Sequence, residues 1–381
     1  VAPFLVVVYL AWSLLGALTT RGNEDLSAKW ADWLRSHHAA AVVNEAEAWY
    51  YSHHAPPKHG KPKGLNPLPL ATPSAMTPSS VRPAGPTSVP AASLSVPKPV
   101  ALPAPKPIAL VVSPALPGEG VWKPVGPQVD GVRGMYEAQF RADTLYTGEI
   151  TSAVWINPRA LRIALVPGLT EPGGRWPEPP YITPAERATV QAAFNGGFRF
   201  ADAHGGFYLD GRVAVPLRQG AASMVIYRDG LINIGAWGSE VRMTPEVVAV
   251  LQNLVPMVDH GQLSPAATYN DASVWGATLG VATVVARSGI GVTSTGALVY
   301  VAGPALTART LAESLKRAGA VRAMTLDINP EWVTFNFFSH PDSALPSDLA
   351  PSSLYPQMQR PADRYLGPTQ ESRDFFTVST P

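Results

Sequence analysis

The chain has 381 residues, a length that suits two domains. Lysine and arginine number 29 against 28 acids, a net charge of +1, so no basic surplus points to nucleic acid. Cysteine is absent, which rules out disulfides, thiolate metal sites and a cysteine nucleophile.

Residues 2–18 are almost wholly apolar and carry no charge. A run of that length reads as a short membrane span. The reading is a retained signal-anchor over residues 1–20, with a cleaved secretory signal and a buried core helix as alternatives. Arg21, Lys29 and Arg35 follow it, and the positive-inside rule alone would put that side in the cytoplasm. Residues 21–54 read as a juxtamembrane helical segment whose Trp30, Trp33 and Leu34 lie in the membrane interface or meet a protein partner. His37, His38, His53, His54 and His59 cluster nearby but show no fixed metal-ligand spacing.

Residues 55–117 hold about 17 of the 40 prolines, mixed with Ala, Ser, Val and Lys. Proline fixes φ and removes backbone donors, so this stretch reads as an extended linker that holds a domain away from the membrane, across a cell wall. A protein partner that reads proline-rich sequence is the alternative.

From residue 118 to 381 the composition is that of a folded domain. It reads as α+β, with mixed, largely antiparallel sheets and a few packed helices. Residues 131–142 and 151–166 show strand-like alternation, with a turn at Asn157-Pro158. Thr183-Pro184-Ala185-Glu186 has the form of a capping box and opens a short helix. Residues 189–194 read as a strand that runs into Asn195-Gly196-Gly197-Phe198. Two glycines there allow positive φ and close ligand approach to backbone N–H groups; a plain hairpin turn is the competing reading. Asp210-Gly211 and Asp229-Gly230 mark hairpins, and Thr244-Pro245 predicts a helix over 244–254. His260, in the turn Asp259-His260-Gly261, is a weak binding candidate. Arg287 is a cation in an apolar strand and demands a carboxylate or an anionic ligand. That strand leads to a hairpin turning near Thr295-Gly296.

Residues 307–332 carry the strongest signal. Thr307 N-caps a helix, Leu306 and Leu311 form a hydrophobic staple, and Glu313 with Arg317 is an i,i+4 pair. Gly319 stops the helix, and residues 320–326 make a buried strand with Asp327 just past its end. A carboxylate so placed reaches a cleft while the sheet holds its backbone; capping a turn is the alternative.

In order, residues 192–198 (Ala-Ala-Phe-Asn-Gly-Gly-Phe), Val258-Asp259-His260-Gly261, Arg287-Ser288-Gly289-Ile290-Gly291, and residues 306–326 ending in Leu-Asp resemble the phosphodiester glycosidase family. The resemblance spans about 131–332, and more weakly 373–378 as a closing strand. The family usually continues after Leu-Asp with glycines and small hydroxyl residues. Here the chain reads Ile328-Asn329-Pro330-Glu331-Trp332 instead. The resemblance implies a hydrolase of sugar-1-phosphate diesters with its domain outside the membrane; together with the apolar run and the linker, the reading is a bacterial, membrane-anchored enzyme of cell-envelope glycans. Asp327, Arg287, Asn195 and Glu331 would be catalytic, and Gly196, Gly197, Phe198, His260, Asn329 and Trp332 would bind substrate. The alternative is an inactive member that binds a glycan or a protein partner in the envelope. No cofactor is expected; a divalent cation such as calcium on Asp327, Asn329 and Glu331 is the minor variant. Residues 339–368 read as a surface wrap without chemistry.

Overall fold

The structure, a computed structural model, describes residues 2–53, 56–62, 64–67, 98–275, 284–340, 349–367 and 370–381. Its helices are α1 (Ala2–Leu18), α2 (Leu26–Ser36), α3 (Ala40–His53), α4 (Phe200–Ala203), α5 (Pro265–Thr268), α6 (Ala272–Trp275) and α7 (Ala308–Arg317). Its strands are β1 (Lys123–Val129), β2 (Val132–Phe140), β3 (Thr151–Ile156), β4 (Arg162–Val166), β5 (Val190–Asn195), β6 (Phe207–Leu209), β7 (Arg212–Val215), β8 (Ala222–Tyr227) and β9 (Ile232–Ala236). They continue as β10 (Val247–Gln252), β11 (Val258–Asp259), β12 (Gln262–Leu263), β13 (Val285–Thr293), β14 (Leu298–Leu306), β15 (Ala320–Ile328), β16 (Phe335–Ser339), β17 (Ala350–Ser353) and β18 (Phe375–Ser379).

Three antiparallel sheets result. The largest runs β1-β2-β3-β14-β13-β15-β11-β12; the others run β7-β6-β10-β8-β9 and β17-β16-β5-β18-β4. The expected α+β balance is thereby corrected: the described residues are mostly sheet, with eighteen strands against seven α-helices. Part of the difference is residues 244–254. Thr244-Pro245 looks like a helix start, but Val247, Val248 and Val250 are β-branched, and β10 pairs with both β6 and β8. Packing across two neighbours overrides the local cap signal. The Thr183 box does form, with the Thr183 N–H donating to Glu186 Oε2 at 2.8 Å, yet only a 3-10 turn (Glu186–Ala188) follows.

The membrane anchor is also corrected, and the proposed membrane localisation with it. No helix among the described residues is long and apolar enough to cross a membrane. Helix α1 has 17 residues, or about 26 Å against a hydrocarbon core of about 30 Å. It packs on α2 instead: the Trp33 indole sits on Gly16, and Trp12 meets Trp33 edge-on with ring centroids 4.7 Å apart. Trp30 Nε1 donates to Ser13 Oγ at 2.8 Å, so both tryptophans assigned to a membrane interface face a helix. The hairpin is held to the sheets by polar contacts. Arg199 donates to Asp32 Oδ1 (3.1 Å), Arg360 donates to Asn23 Oδ1 (2.7 Å), and Asn23 Nδ2 donates to the Arg364 carbonyl (3.0 Å). His54 and residues 68–97 of the expected linker lie outside the described residues. Nearer the domain, the Val100 N–H donates to the Arg159 carbonyl and Ile108 is buried, so this part of the proline-rich stretch lies against the sheets.

Two apolar layers hold the domain. One lies among the sheets, where Phe194 stacks on Phe335 and Phe376 with centroids 5.6 and 5.1 Å away. The other lies between the large sheet and α7, filled by Leu306, Leu311 and Leu315. Thr307 caps α7 through a reciprocal exchange with Thr310. Glu313 pairs with Arg309 rather than Arg317, because Arg317 reaches out to the Ala109 and Ala142 carbonyls.

Glu137 on β2 is fully buried; Gln139 donates to Oε1, while Oε2 has no hydrogen-bond partner. Burial pushes its carboxyl up to about 7. The folded state therefore holds this proton more tightly than the unfolded chain, and stability falls as pH rises from about 4.5 to about 7. Glu137→Gln should raise the thermal unfolding midpoint at about pH 8 and change it little at about pH 5. An equal shift at both pH values would rule out this origin.

Candidate active site

Strand ends from two sheets meet at one crevice, and a residue just past a strand of the third sheet braces it. Strand β15 ends beyond Asp327, so the carboxylate lies within the strand rather than past it. Strand β5 ends at Asn195 and releases Gly196 and Gly197. Asn253, just past β10, donates through Nδ2 to the Thr325 and Leu326 carbonyls and holds β15 in place. The crevice is lined by Asn195, Gly196, Gly197, Asp327, Trp332, Arg364, Tyr365, Glu371, Arg373 and Asp374.

Asp327 is 4% exposed. Its Oδ2 accepts from Arg373 Nη1 at 2.9 Å and its Oδ1 from the Ile328 N–H at 2.7 Å. Burial still dominates and pushes the carboxyl up to about 7, while Arg373 pulls the other way. Arg373 is fixed twice, since its guanidinium also lies 3.5 Å over the Trp332 ring.

Asn195 turns its amide inward. Nδ2 donates to Ser288 Oγ (3.1 Å) and the Gly196 carbonyl (2.8 Å); Oδ1 accepts from Tyr300 OH (3.0 Å) and the Thr334 N–H (3.1 Å). Ser288 Oγ in turn accepts from the Asp327 N–H at 3.1 Å. Asn195 thus positions Asp327 through Ser288. The Asn-Gly pair is not a hairpin turn, and neither glycine has positive φ. Glycine is required by close approach: a Cβ on Gly196 would stand 1.9 Å from Asp374 Oδ2. The Gly196 N–H donates to the Asp374 carbonyl (3.1 Å), so the backbone presented by this turn is that of Gly197.

The other sequence candidates lie elsewhere. Arg287 is buried one strand over, donating through Nε to the Leu306 carbonyl, and does not line the crevice. Burial lowers its guanidinium to about 10. Glu331 accepts from Arg360 Nη1 at 2.8 Å, and Asn329 Oδ1 accepts from the Glu331 N–H. With Asp327 on Arg373, the three proposed calcium ligands have separate partners, and among the described residues no group of three His, Cys, Asp or Glu side chains could hold a metal. Phe198 packs in the layer under α7, and His260, 70% exposed, pairs with Asp259. Of the predicted set, Asn195, Gly196, Gly197, Asp327 and Trp332 come together.

Four charged lining residues were not anticipated: Arg364, Glu371, Arg373 and Asp374. Arg364 comes from the stretch read as a plain wrap and pairs with Glu371 through two bonds of 2.8 and 2.6 Å. Arg373-Asp374 directly precede the apolar strand β18, mirroring the carboxylate at a strand end that marked Asp327.

Residues 188–327 match the family described as phosphodiester glycosidase. The resemblance seen in the sequence therefore holds over this stretch, which ends on Asp327. No curated protein matches the chain. Among solved structures, one similar chain is the zebrafish N-acetylglucosamine-1-phosphodiester alpha-N-acetylglucosaminidase catalytic domain auto-inhibited by its pro-peptide. It is 16% identical, with 64% of this chain and 82% of that one covered and a TM-score of 0.39. A hypothetical protein from Synechocystis is 14% identical, with 68% and 64% covered and a TM-score of 0.34.

Gly196→Ala should cost about 1–3 kcal/mol in urea unfolding, because its Cβ meets both a carboxylate oxygen and a backbone carbonyl. Gly197→Ala, whose Cβ would meet only the Asn253 side chain at 3.2 Å, should cost less. The reverse order would show that the Asp374 contact does not set the need for glycine.

Proposed function

We propose that this chain hydrolyses sugar-1-phosphate diesters, cutting between the anomeric carbon and its oxygen so that the phosphate stays on its carrier. The observation that carries this reading is Asp327. It is a buried carboxylate at the end of the stretch that matches the family, in a crevice shared with Gly196, Gly197 and a cation. A diester is anionic and calls for a cation with directed N–H bonds. Arg373, held by stacking and by an ion pair, fits that need better than Arg287, which lies outside the lining. Breaking the anomeric bond builds positive charge on the sugar ring, which a carboxylate offsets. Asp327 then takes a proton from a water whose oxygen bonds to the anomeric carbon. Asn195 and Ser288 act as positioning residues by holding the Asp327 backbone.

The alternative is a module that binds a sugar phosphate without turnover. It is favoured by the loop after Asp327, where Trp332 stands in place of small residues and closes one wall of the crevice.

The test uses the full chain with UDP-sugars and aryl diesters of sugar 1-phosphates in ¹⁸O water. Label should appear in the released sugar and not in the phosphate. Asp327→Asn should lower kcat by about 10²-fold or more with little effect on KM. Arg373→Ala should raise KM. Binding without any released sugar would replace the hydrolase by the module.

A further inference from the structure

Asp374 has no part in the hydrolysis as set out above, yet it is the least compensated charge-bearing group in the crevice. It precedes β18, is 3% exposed, and lines the same crevice as Asp327. Its Oδ2 stands against Gly196 and has no hydrogen-bond partner. The charged groups facing it are Asp327 from β15, Glu171 from the loop after β4, and its neighbour Arg373. Arg373 turns its guanidinium to Asp327 and the Trp332 face rather than to Asp374. Glu171 accepts from the Phe200 N–H and adds a second acid. A carboxylate so buried, with acids on two sides and one oxygen unbonded, is better accommodated neutral than charged. Burial pushes Asp374 up to about 8, and the neighbouring acids push the same way. Asp327 differs in having both oxygens engaged by donors. Two carboxyls in one site, one with both oxygens bonded by donors and one with an oxygen left unbonded, divide into a base and an acid.

We infer that Asp374 is the proton donor of the crevice, a neutral carboxyl that delivers its proton to the phosphate oxygen as that oxygen leaves the anomeric carbon. The step balances. The electron pair of the breaking carbon–oxygen bond moves onto the phosphate oxygen, which takes the Asp374 proton. Water supplies the new bond to the anomeric carbon, and its proton passes to Asp327. One carboxyl loses a proton as the other gains one, so the net charge of the pair stays constant through the step.

This role rests on the hydrolase reading, and infrared spectroscopy separates the two. The full chain, labelled with ¹³C-aspartate, is recorded at neutral pH as wild type, Asp374→Asn and Asp327→Asn. The band of a protonated aspartate should be strong in wild type, markedly weaker in Asp374→Asn, where Asp327 at about 7 still holds part of a proton, and kept in Asp327→Asn. Its absence from wild type, or its survival at full strength in Asp374→Asn, overturns the assignment whether or not the protein turns over. In kinetics, Asp374→Asn should lose about 10²-fold in kcat on an aryl sugar phosphodiester. On the corresponding glycosyl fluoride, whose leaving group depends less on a proton, the loss should be below about tenfold. Equal losses on both substrates would show a merely structural residue and sink the donor role. A wild-type protein that shows the band but cleaves no sugar phosphate would refute the hydrolase reading and the proton delivery together, leaving only the buried proton.

Discussion

The side-chain amide of Asn195 holds the molecule's two largest constraints together. It is buried where β5 of one sheet meets β13 and β14 of another, and its donors and acceptor are spent on Ser288, Tyr300, Thr334 and Gly196. Ser288 and Thr334 are themselves fully buried. Without the amide, a backbone N–H and a serine hydroxyl would lose a partner in an apolar surround, at about 1–3 kcal/mol for each unsatisfied group. The same network fixes the Asp327 backbone, because Ser288 Oγ serves both residues. Sheet packing and site geometry are therefore one problem solved by one set of hydrogen bonds. That is why a motif readable as a simple turn sits under the crevice.

The local chemistry of the chain was largely legible. Asp210-Gly211, Asp229-Gly230 and Thr295-Gly296 turn hairpins where the residues demand it, and Thr307 caps α7. What could not be read was membership. Strands β3 and β4 are joined by the expected turn at Asn157-Pro158, yet they enter different sheets. No local pattern encodes that choice, which depends on which distant edge each strand meets. Thr244-Pro245 failed for the same reason: helix capping is a property of four residues, while β10 is decided by two neighbouring strands. In the site, Asp327 was visible because a strong helix and strand lead up to it. Arg373 and Asp374 were not singled out, since the proline-rich stretch before them carries little pattern, although their place before an apolar strand repeats the signature of Asp327.

The N-terminal run shows the limit of composition. An apolar, uncharged stretch scores the same whether lipid or protein covers it. Geometry distinguishes the two through length and through specific contacts. Gly16 leaves room for the Trp33 indole, and Ser13 receives the Trp30 N–H. Each is a complementary pair between two helices that hydropathy averages away. The polar tie from Asn23 to Arg360 is equally invisible, because its partners are separated by more than three hundred residues.

The loop after Asp327 explains why the arginine that meets Asp327 is Arg373 rather than Arg287. Asn329 adopts a left-handed conformation, and the Trp332 N–H donates back to its carbonyl, so the loop turns tightly and presents the indole. A run of glycines at that place would offer no such surface. The indole supports a guanidinium by stacking, which a compact ammonium group cannot reproduce in the same way. Once Arg373 is set on that platform, its Nη1 reaches Asp327 Oδ2, and its chain neighbour Asp374 is carried to Gly196. The bulky residue and the closing strand therefore form one device. The tryptophan fills space that small residues would leave open, and in filling it brings an arginine and a second carboxyl to the first.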